Sequence, residues 1–424
     1  MSQEYLLVGA RLIDPALGRD ETGDLAINGA RLVAPESLSA EAIRLDLSGK
    51  VVAPGFLDLH VHLREPGQTW KEDIASGSKA AACGGFTAVL AMPNTAPPID
   101  SVETFRQLNS RLPGRAQIEV LQSVALTIGR KGEQLSDIKA LKAAGVVALT
   151  DDGSTPQDEN IMRQAMLLAR ECDLPVIDHC EELSLSKLAV MHEGEVSRRL
   201  GLSGQPRLAE EAIVERDIRL CRETACRVHL QHLSSGGSVE LLRQARAEGL
   251  PISGEVTPHH LFLTDQAVEK YGSNAKMAPP LREESDRQAL LAALCDGTIS
   301  VIATDHAPHS KEEKAQDISL APFGIIGIEA ALPLCLTLLY HKGLISLPEL
   351  IKRFSNAPRE LLGLPPITLT AGAIANLTIL EPDHEFVLDT AKFHSKSLNC
   401  PYQGFHCKGK VHAIFYQGQF HYAN

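Results

Sequence analysis

Between residues 57 and 303 the chain repeats one pattern eight times: a short apolar or β-branched run, then an intervening segment that is in places clearly amphipathic. The runs are Leu57–Val61, Thr87–Met92, Ile118–Leu126, Val146–Thr150, Val176–Ile177, Val228–Leu230, Ile252–Val256 and Ile299–Ala303. Between them Glu72–Cys83, Glu159–Glu171, Ala209–Thr224 and Ser238–Ala247 space their apolar residues as helices do. Strands that alternate with helices run parallel. Eight such units predict an α/β fold, a closed (β/α)8 barrel of TIM type. An open doubly wound sheet is the alternative, but no Gly-x-Gly-x-x-Gly follows the first strand.

The two ends read differently. Leu6-Leu7-Val8, Leu25-Ala26-Ile27 and Arg31-Leu32-Val33 are short strands between turn residues. Ala375–Leu380, Lys410–Tyr416 and Phe420–Tyr422 repeat that pattern, with Gly418 as a turn. Neither end can bury a core by itself. The expectation is one small β-sandwich domain made from residues 1–52 and 367–424, flanking a barrel of residues 53–366 that would hold any active site.

Composition removes several function classes. The net charge is -12, with no basic tract for nucleic acid. No apolar run approaches the roughly 18 residues needed to span a bilayer, and no signal peptide is visible at the start. Nine scattered cysteines without a Cys-x-x-Cys pair fit reduced thiols, hence a cytoplasmic protein.

Chemistry gathers where barrel enzymes keep it, at the C-terminal ends of the strands. Strand one ends in His60-Val61-His62, and residues two apart on a strand share a face. Strand four ends in Asp151-Asp152-Gly153, strand five in Asp178-His179-Cys180-Glu181, strand six in Gln231-His232 and strand eight in Thr304-Asp305-His306. His60, His62, His179 and His232, with one strand-four carboxylate and Asp305, suit two zinc-like divalent ions. Spacing leaves Asp151 and Asp152 open. Asp151 directly follows the strand and is taken as the bridging ligand, although helix capping would also explain it. Cys180 is read as a small buried cysteine rather than a soft ligand. Asp58 is either a carboxylate supporting the histidines or a core hydrogen-bonding group.

Asp58-Leu59-His60-Val61-His62-Leu63-Arg64-Glu65-Pro66-Gly67 resembles the signature of the dihydroorotases of the amidohydrolase superfamily, bacterial type I. Ala91-Met92-Pro93-Asn94-Thr95, Ala303–His309 and Ala321-Pro322-Phe323-Gly324-Ile325 extend the resemblance over nearly the whole chain. It implies a cyclic amide hydrolase that interconverts N-carbamoyl-L-aspartate and L-dihydroorotate in pyrimidine biosynthesis, with two Zn2+ per chain. His60, His62 and Asp305 resemble the ligands of one zinc, and His179 and His232 those of the other. Strand four lacks the lysine that many superfamily members carbamylate, which implies an aspartate bridge.

By the same resemblance Arg64, Asn94 and His309 grip the substrate's α-carboxylate, His62 touches the substrate, and the Phe323-Gly324 backbone contacts the ring. Ala278 stands where related enzymes commonly have Asn. Asp305, the strand-eight carboxylate at the mouth, is expected to act as general base and acid. The connection from His309 to Ala321 is polar and is expected to move. Small-molecule substrates, a homo-oligomer and a complex with aspartate transcarbamoylase are the expected partners, without nucleic acid or membrane. The alternatives are an allantoinase- or hydantoinase-like cyclic amidase, and a non-catalytic scaffold for that transferase. An amidase of that kind would favour a strand-four lysine, and a scaffold should have lost ligands.

Overall fold

A computed structural model describes residues 3–422, a mixed α/β structure. Its central strands pair side by side in parallel. Phe56–Val61 pairs with Phe86–Ala91, and the latter with Glu119–Gln122. Leu149 bridges Val124 on one side and Val176 on the other. Val176–Asp178, Val228–Leu230, Ile252–Val256 and Val301–Ile302 follow in that spatial order. His306 then bridges back to Val61. The pairings therefore start and finish on the same strand.

The run expected as strand four, Val146–Thr150, is extended chain rather than a regular strand. Val124 N donates to Ala148 O (3.1 Å), Thr150 N to Val124 O (3.0 Å) and Ile177 N to Leu149 O (2.9 Å). Its neighbours overlap it for too few residues to build a longer ladder.

The helices lie close to their expected spans. Glu159–Glu171 is as read from the sequence, and Leu208–Thr224 and Gly236–Ala247 start one or two residues earlier. Glu72 is excluded from its helix, which runs Ile74–Cys83, because Asp73 is the cap and accepts from Ser76 N at 2.9 Å. That frees the Glu72 carboxylate to reach His306 and Ser395.

Leu57, Leu59, Ala88, Leu90, Met92, Ala148, Ile177, Val301 and Ala303 form a buried cluster contributed by five of the central segments. A larger apolar cluster packs these strands against the helices. The chain ends share one eight-stranded sheet: Leu377–Val387 lies between Val51–Pro54 and His406–Tyr416. Gly418 makes the last turn at φ 76°, where a β-carbon would fall 1.7 Å from Gly29 O. Among the described residues no helix is long and apolar enough to cross a membrane.

Candidate metal centre and active site

Four histidine rings from three strand ends meet in a buried cluster. Ring centroids of His60 and His62 are 5.3 Å apart, His60 and His232 5.1 Å, and His179 and His232 4.7 Å. Two aspartates complete it. Asp305 Oδ1 is 3.0 Å from His62 Nε2 and 3.4 Å from His60 Nε2. Asp152 Oδ1 is 3.1 Å from His60 Nε2 and 3.8 Å from His179 Nδ1, and its Oδ2 is 3.6 Å from His62 Nε2. Ligands held tetrahedrally at zinc distances lie about 3.3 Å apart, so these separations suit a small cation.

The strand-four carboxylate in the cluster is Asp152, not the expected Asp151. Asp151 Oδ2 accepts from Thr127 Oγ1 at 2.5 Å, and its Oδ1 from Thr127 N at 3.1 Å. Chain alternation explains the exchange. Ala148 belongs to the cluster shared by the ring's strands and Leu149 to the helix-facing one, so Asp152 follows Ala148 and Asp151 follows Leu149. Arg130 reinforces the turn by donating to the carbonyls of Asp151 and Asp152.

Three of the four rings are held by an outward nitrogen. His60 Nδ1 meets Glu255 Oε1 at 3.0 Å, His62 Nδ1 meets Asn94 Oδ1 at 2.9 Å, and His179 Nε2 meets Glu181 Oε2 at 3.0 Å. These contacts leave His60 Nε2, His62 Nε2 and His179 Nδ1 facing the cluster, an orientation typical of metal-binding histidines. His60 Nε2 is buried and makes no hydrogen bond among the described residues, despite the nearby Asp152 oxygen. An imidazole lone pair aimed at a common point without a donor fits a cation.

Charge agrees. Burial pulls the His60 pKa down, but Asp305 and Asp152 outweigh it and hold it well above the usual value. Asp152 is pushed up by burial, yet His60, His62 and His179 hold it well below the carboxylate range. The cage demands positive charge, as a proton or as a metal that displaces it. Asp58 sits beneath, accepting from Thr304 N (3.0 Å), Thr304 Oγ1 (2.6 Å) and His60 N (3.2 Å). Burial pushes it up to about 6. Cys180 is buried against Asp178 and Asp217, outside this cluster, and burial pushes its thiol well up.

The cluster opens into a cavity of about 480 Å³ whose wall includes His62, Arg64, Asn94, Ala278, His309, Phe323 and Gly324. Arg64 Nε donates to Pro308 O at 3.1 Å, and its Nη2 lies 3.2 Å from His309 Nε2. Burial lowers the Arg64 pKa to about 10, still charged at neutral pH. Burial, with Arg64, Lys71 and Lys314 nearby, pushes His309 down to about 2, so its imidazole is neutral. Asn94 is on the wall, but its amide also serves the ligands: Oδ1 meets His62, and Nδ2 donates to Asp152 Oδ2 at 3.0 Å. The connection after His309 carries a short helix, Lys311–Lys314, and is anchored by buried Lys314, which donates to Pro322 O and Gly324 O.

Three residues of the cluster and wall have left-handed backbones: Arg64 (φ 56°), His232 (φ 28°) and Asp305 (φ 44°). Such strain in large side chains concentrates at functional sites.

The matched family model is described as Dihydro-orotase-like and covers residues 49–238. A curated dihydroorotase of Pelobacter propionicus is 43% identical over 98% of this chain and 99% of its own length. One from Clostridioides difficile is 43% identical over 98% and 99%. The chain belongs to the dihydroorotase family. Solved structures of hydantoinase type share the fold of this dihydroorotase family member. An L-hydantoinase from Arthrobacter aurescens superposes with a TM-score of 0.88 at 24% identity, over 99% of this chain and 96% of that one. A dihydropyrimidinase from Brevibacillus agri gives 0.86 at 22%, over 99% and 95%.

Two residues that shape the site escaped the sequence reading. Glu255 orients His60 and also meets His229 Nε2 at 3.1 Å. A carboxylate inside the apolar Ile252–Val256 run was the available signal. Asn399 comes from the far end of the chain, where nothing in the sequence marks it. Its Nδ2 donates to Ala307 O (2.9 Å) and Gly324 O (3.0 Å), and its Oδ1 accepts from His309 N (3.2 Å). It therefore fixes two stretches of cavity wall. Asn399→Ala is expected to raise KM and to cost about 1–3 kcal/mol of stability, because buried backbone groups lose their partner. Substrate titration and thermal melting check both effects.

Proposed function

We propose that this chain catalyses the zinc-dependent, reversible cyclisation of N-carbamoyl-L-aspartate to L-dihydroorotate, on a closed (β/α)8 barrel. What carries the reading is the buried cage of four imidazoles and two aspartates, opening on the cavity that Arg64 and His309 line. His60, His62 and Asp305 would hold one cation, His179 and His232 the other, with Asp152 reaching both. Two zinc ions, when bound there, supply Lewis acidity and bring a water's pKa to about 7. The extended run before Asp152, Val146 to Asp151, has no lysine, so a ligand shared from strand four would be a carboxylate.

The side chains divide the remaining work. Asp305 faces the centre of the cage and exchanges the proton. In hydrolysis it accepts from the attacking water and returns the proton to the ring nitrogen that departs. In cyclisation it takes the proton from the ureido nitrogen. Charged Arg64, supported by neutral His309, receives the α-carboxylate, and a planar guanidinium suits that group. Asn94 keeps His62 and Asp152 in register. Ala278 and the Phe323-Gly324 segment close the wall around the ring. Residues 53–366 form the catalytic domain in this reading, and the sheet from both chain ends forms the second.

The direct test is turnover of carbamoyl aspartate and dihydroorotate, with hydantoin and allantoin as controls. Preference for either control would overturn the substrate assignment. Elemental analysis after zinc-replete expression is expected to find about two zinc ions per chain, and finding none would remove the metal from the reading. Arg64→Met is expected to raise KM roughly 10- to 100-fold with a smaller change in kcat, the worth of one charge-assisted contact. An unchanged KM would take Arg64 out of substrate binding.

A further inference from the structure

Away from the cage, a second cluster joins three distant parts of the chain. Cys83 ends the helix Ile74–Cys83, Glu329 follows the last central strand, and His394 lies beyond the terminal sheet's Leu377–Val387 strand. Cys83 Sγ is 4.0 Å from His394 Nε2, within reach of a sulfur hydrogen bond. His394 Nδ1 is 3.0 Å from Glu329 Oε1, and the Glu329 carboxylate also accepts from the backbone N–H groups of His394 and Ser395. The carboxylate is thus committed to holding the imidazole, with Nδ1 towards Glu329 and Nε2 towards sulfur. The three groups border a cavity of about 330 Å³ walled by Phe386, Leu388, Phe393 and Lys392.

We propose that Cys83, His394 and Glu329 form a modification site, in which the imidazole activates the thiol towards small hydroperoxides. A carboxylate-oriented imidazole beside a partly exposed thiol is the arrangement that raises the thiolate fraction. Four cysteines differ: Cys221, Cys226, Cys335 and Cys400 are buried, and burial pushes their thiols up, to about 11 for Cys221 and about 12 for Cys226 and Cys400. In the reaction His394 Nε2 takes the thiol proton and the sulfur attacks the distal peroxide oxygen. A sulfur–oxygen bond forms and the O–O bond breaks. The departing oxygen carries off the proton as water or an alcohol, which leaves a sulfenic acid on Cys83. Sulfur is oxidised and the peroxide reduced.

The segment after His394 continues into the wall of the active cavity. Ser395 Oγ donates to Glu72 Oε2 at 2.5 Å, Ser397 Oγ donates to Lys71 O at 2.8 Å, and Asn399 holds the wall at His309 and Gly324.

The test uses the intact protein and limiting iodoacetamide, with peptide mass spectrometry reading each cysteine. Cys295 is exposed and serves as the internal reference. Cys83 is expected to alkylate about tenfold faster than Cys295 at neutral pH, because the imidazole raises its thiolate fraction. His394→Asn and Glu329→Gln should each slow Cys83 and leave Cys295 unchanged. Brief hydrogen peroxide followed by dimedone should place the adduct on Cys83. Alkylation of Cys83 no faster than of Cys295 in the unaltered protein overturns the proposal, and needs no variant to fold. An unchanged Cys83 rate in folded His394→Asn also overturns it.

Discussion

Asp152→Ala is expected to lose bound metal and to reduce turnover more than about 100-fold, since even groups that merely support metal ligands cost 10- to 100-fold when removed. Its two oxygens face His60 and His62, with His179 Nδ1 3.8 Å from Oδ1. Without it, Asp305 is the one aspartate of the cage left facing the inner ring nitrogens. The adjacent variant gives the contrast. Asp151→Asn should keep the metal, because Asp151 is engaged with Thr127 on the far side of the chain. Its penalty is one of stability, about 1–3 kcal/mol for a buried hydrogen-bonded group. Metal content and kcat of the two proteins decide the matter. A metal-depleted Asp151 variant beside an intact Asp152 variant would reverse the assignment.

Asp305→Asn is expected to fold normally and to lose activity in both directions, by about 100- to 10,000-fold for a general acid–base group. The amide is nearly isosteric, and asparagine tolerates the left-handed backbone that Asp305 adopts at φ 44°. What it lacks is the ability to accept and return a proton. Its remaining oxygen also binds a cation more weakly, so metal content must be measured alongside rate. Loss of rate with metal retained isolates the proton-transfer role. Near-normal rates with metal retained would remove Asp305 from the chemistry.

Much of this arrangement is legible in the sequence for a definite reason. A parallel ring of strands delivers its C-terminal ends to one mouth, so residues far apart in number become neighbours once the strands are recognised. That logic brought His60, His62, His179, His232 and Asp305 together. It fails where the answer depends on one residue of register. Asp151 and Asp152 differ only in which face of an extended chain they occupy, and Thr127 on the neighbouring segment captures the first. Ala148 and Leu149 carried the hint in their opposite packing, but that packing is a property of the folded ring. Asn399 was illegible for a different reason. Its partners are main-chain atoms of Ala307, His309 and Gly324, which have no residue code. The anchoring of the connection after His309 by Lys314 was hidden likewise, since its acceptors are carbonyls.

Arg64, His232 and Asp305 carry bulky side chains on bends that suit glycine, each at a cost of about 1–3 kcal/mol. The mouth is therefore a spring held under load by the rest of the molecule. Selection for heat resistance alone would favour relaxing it, and would blunt the catalyst in doing so. Anyone seeking a hardier version should reinforce the outer helices and leave the rim tense.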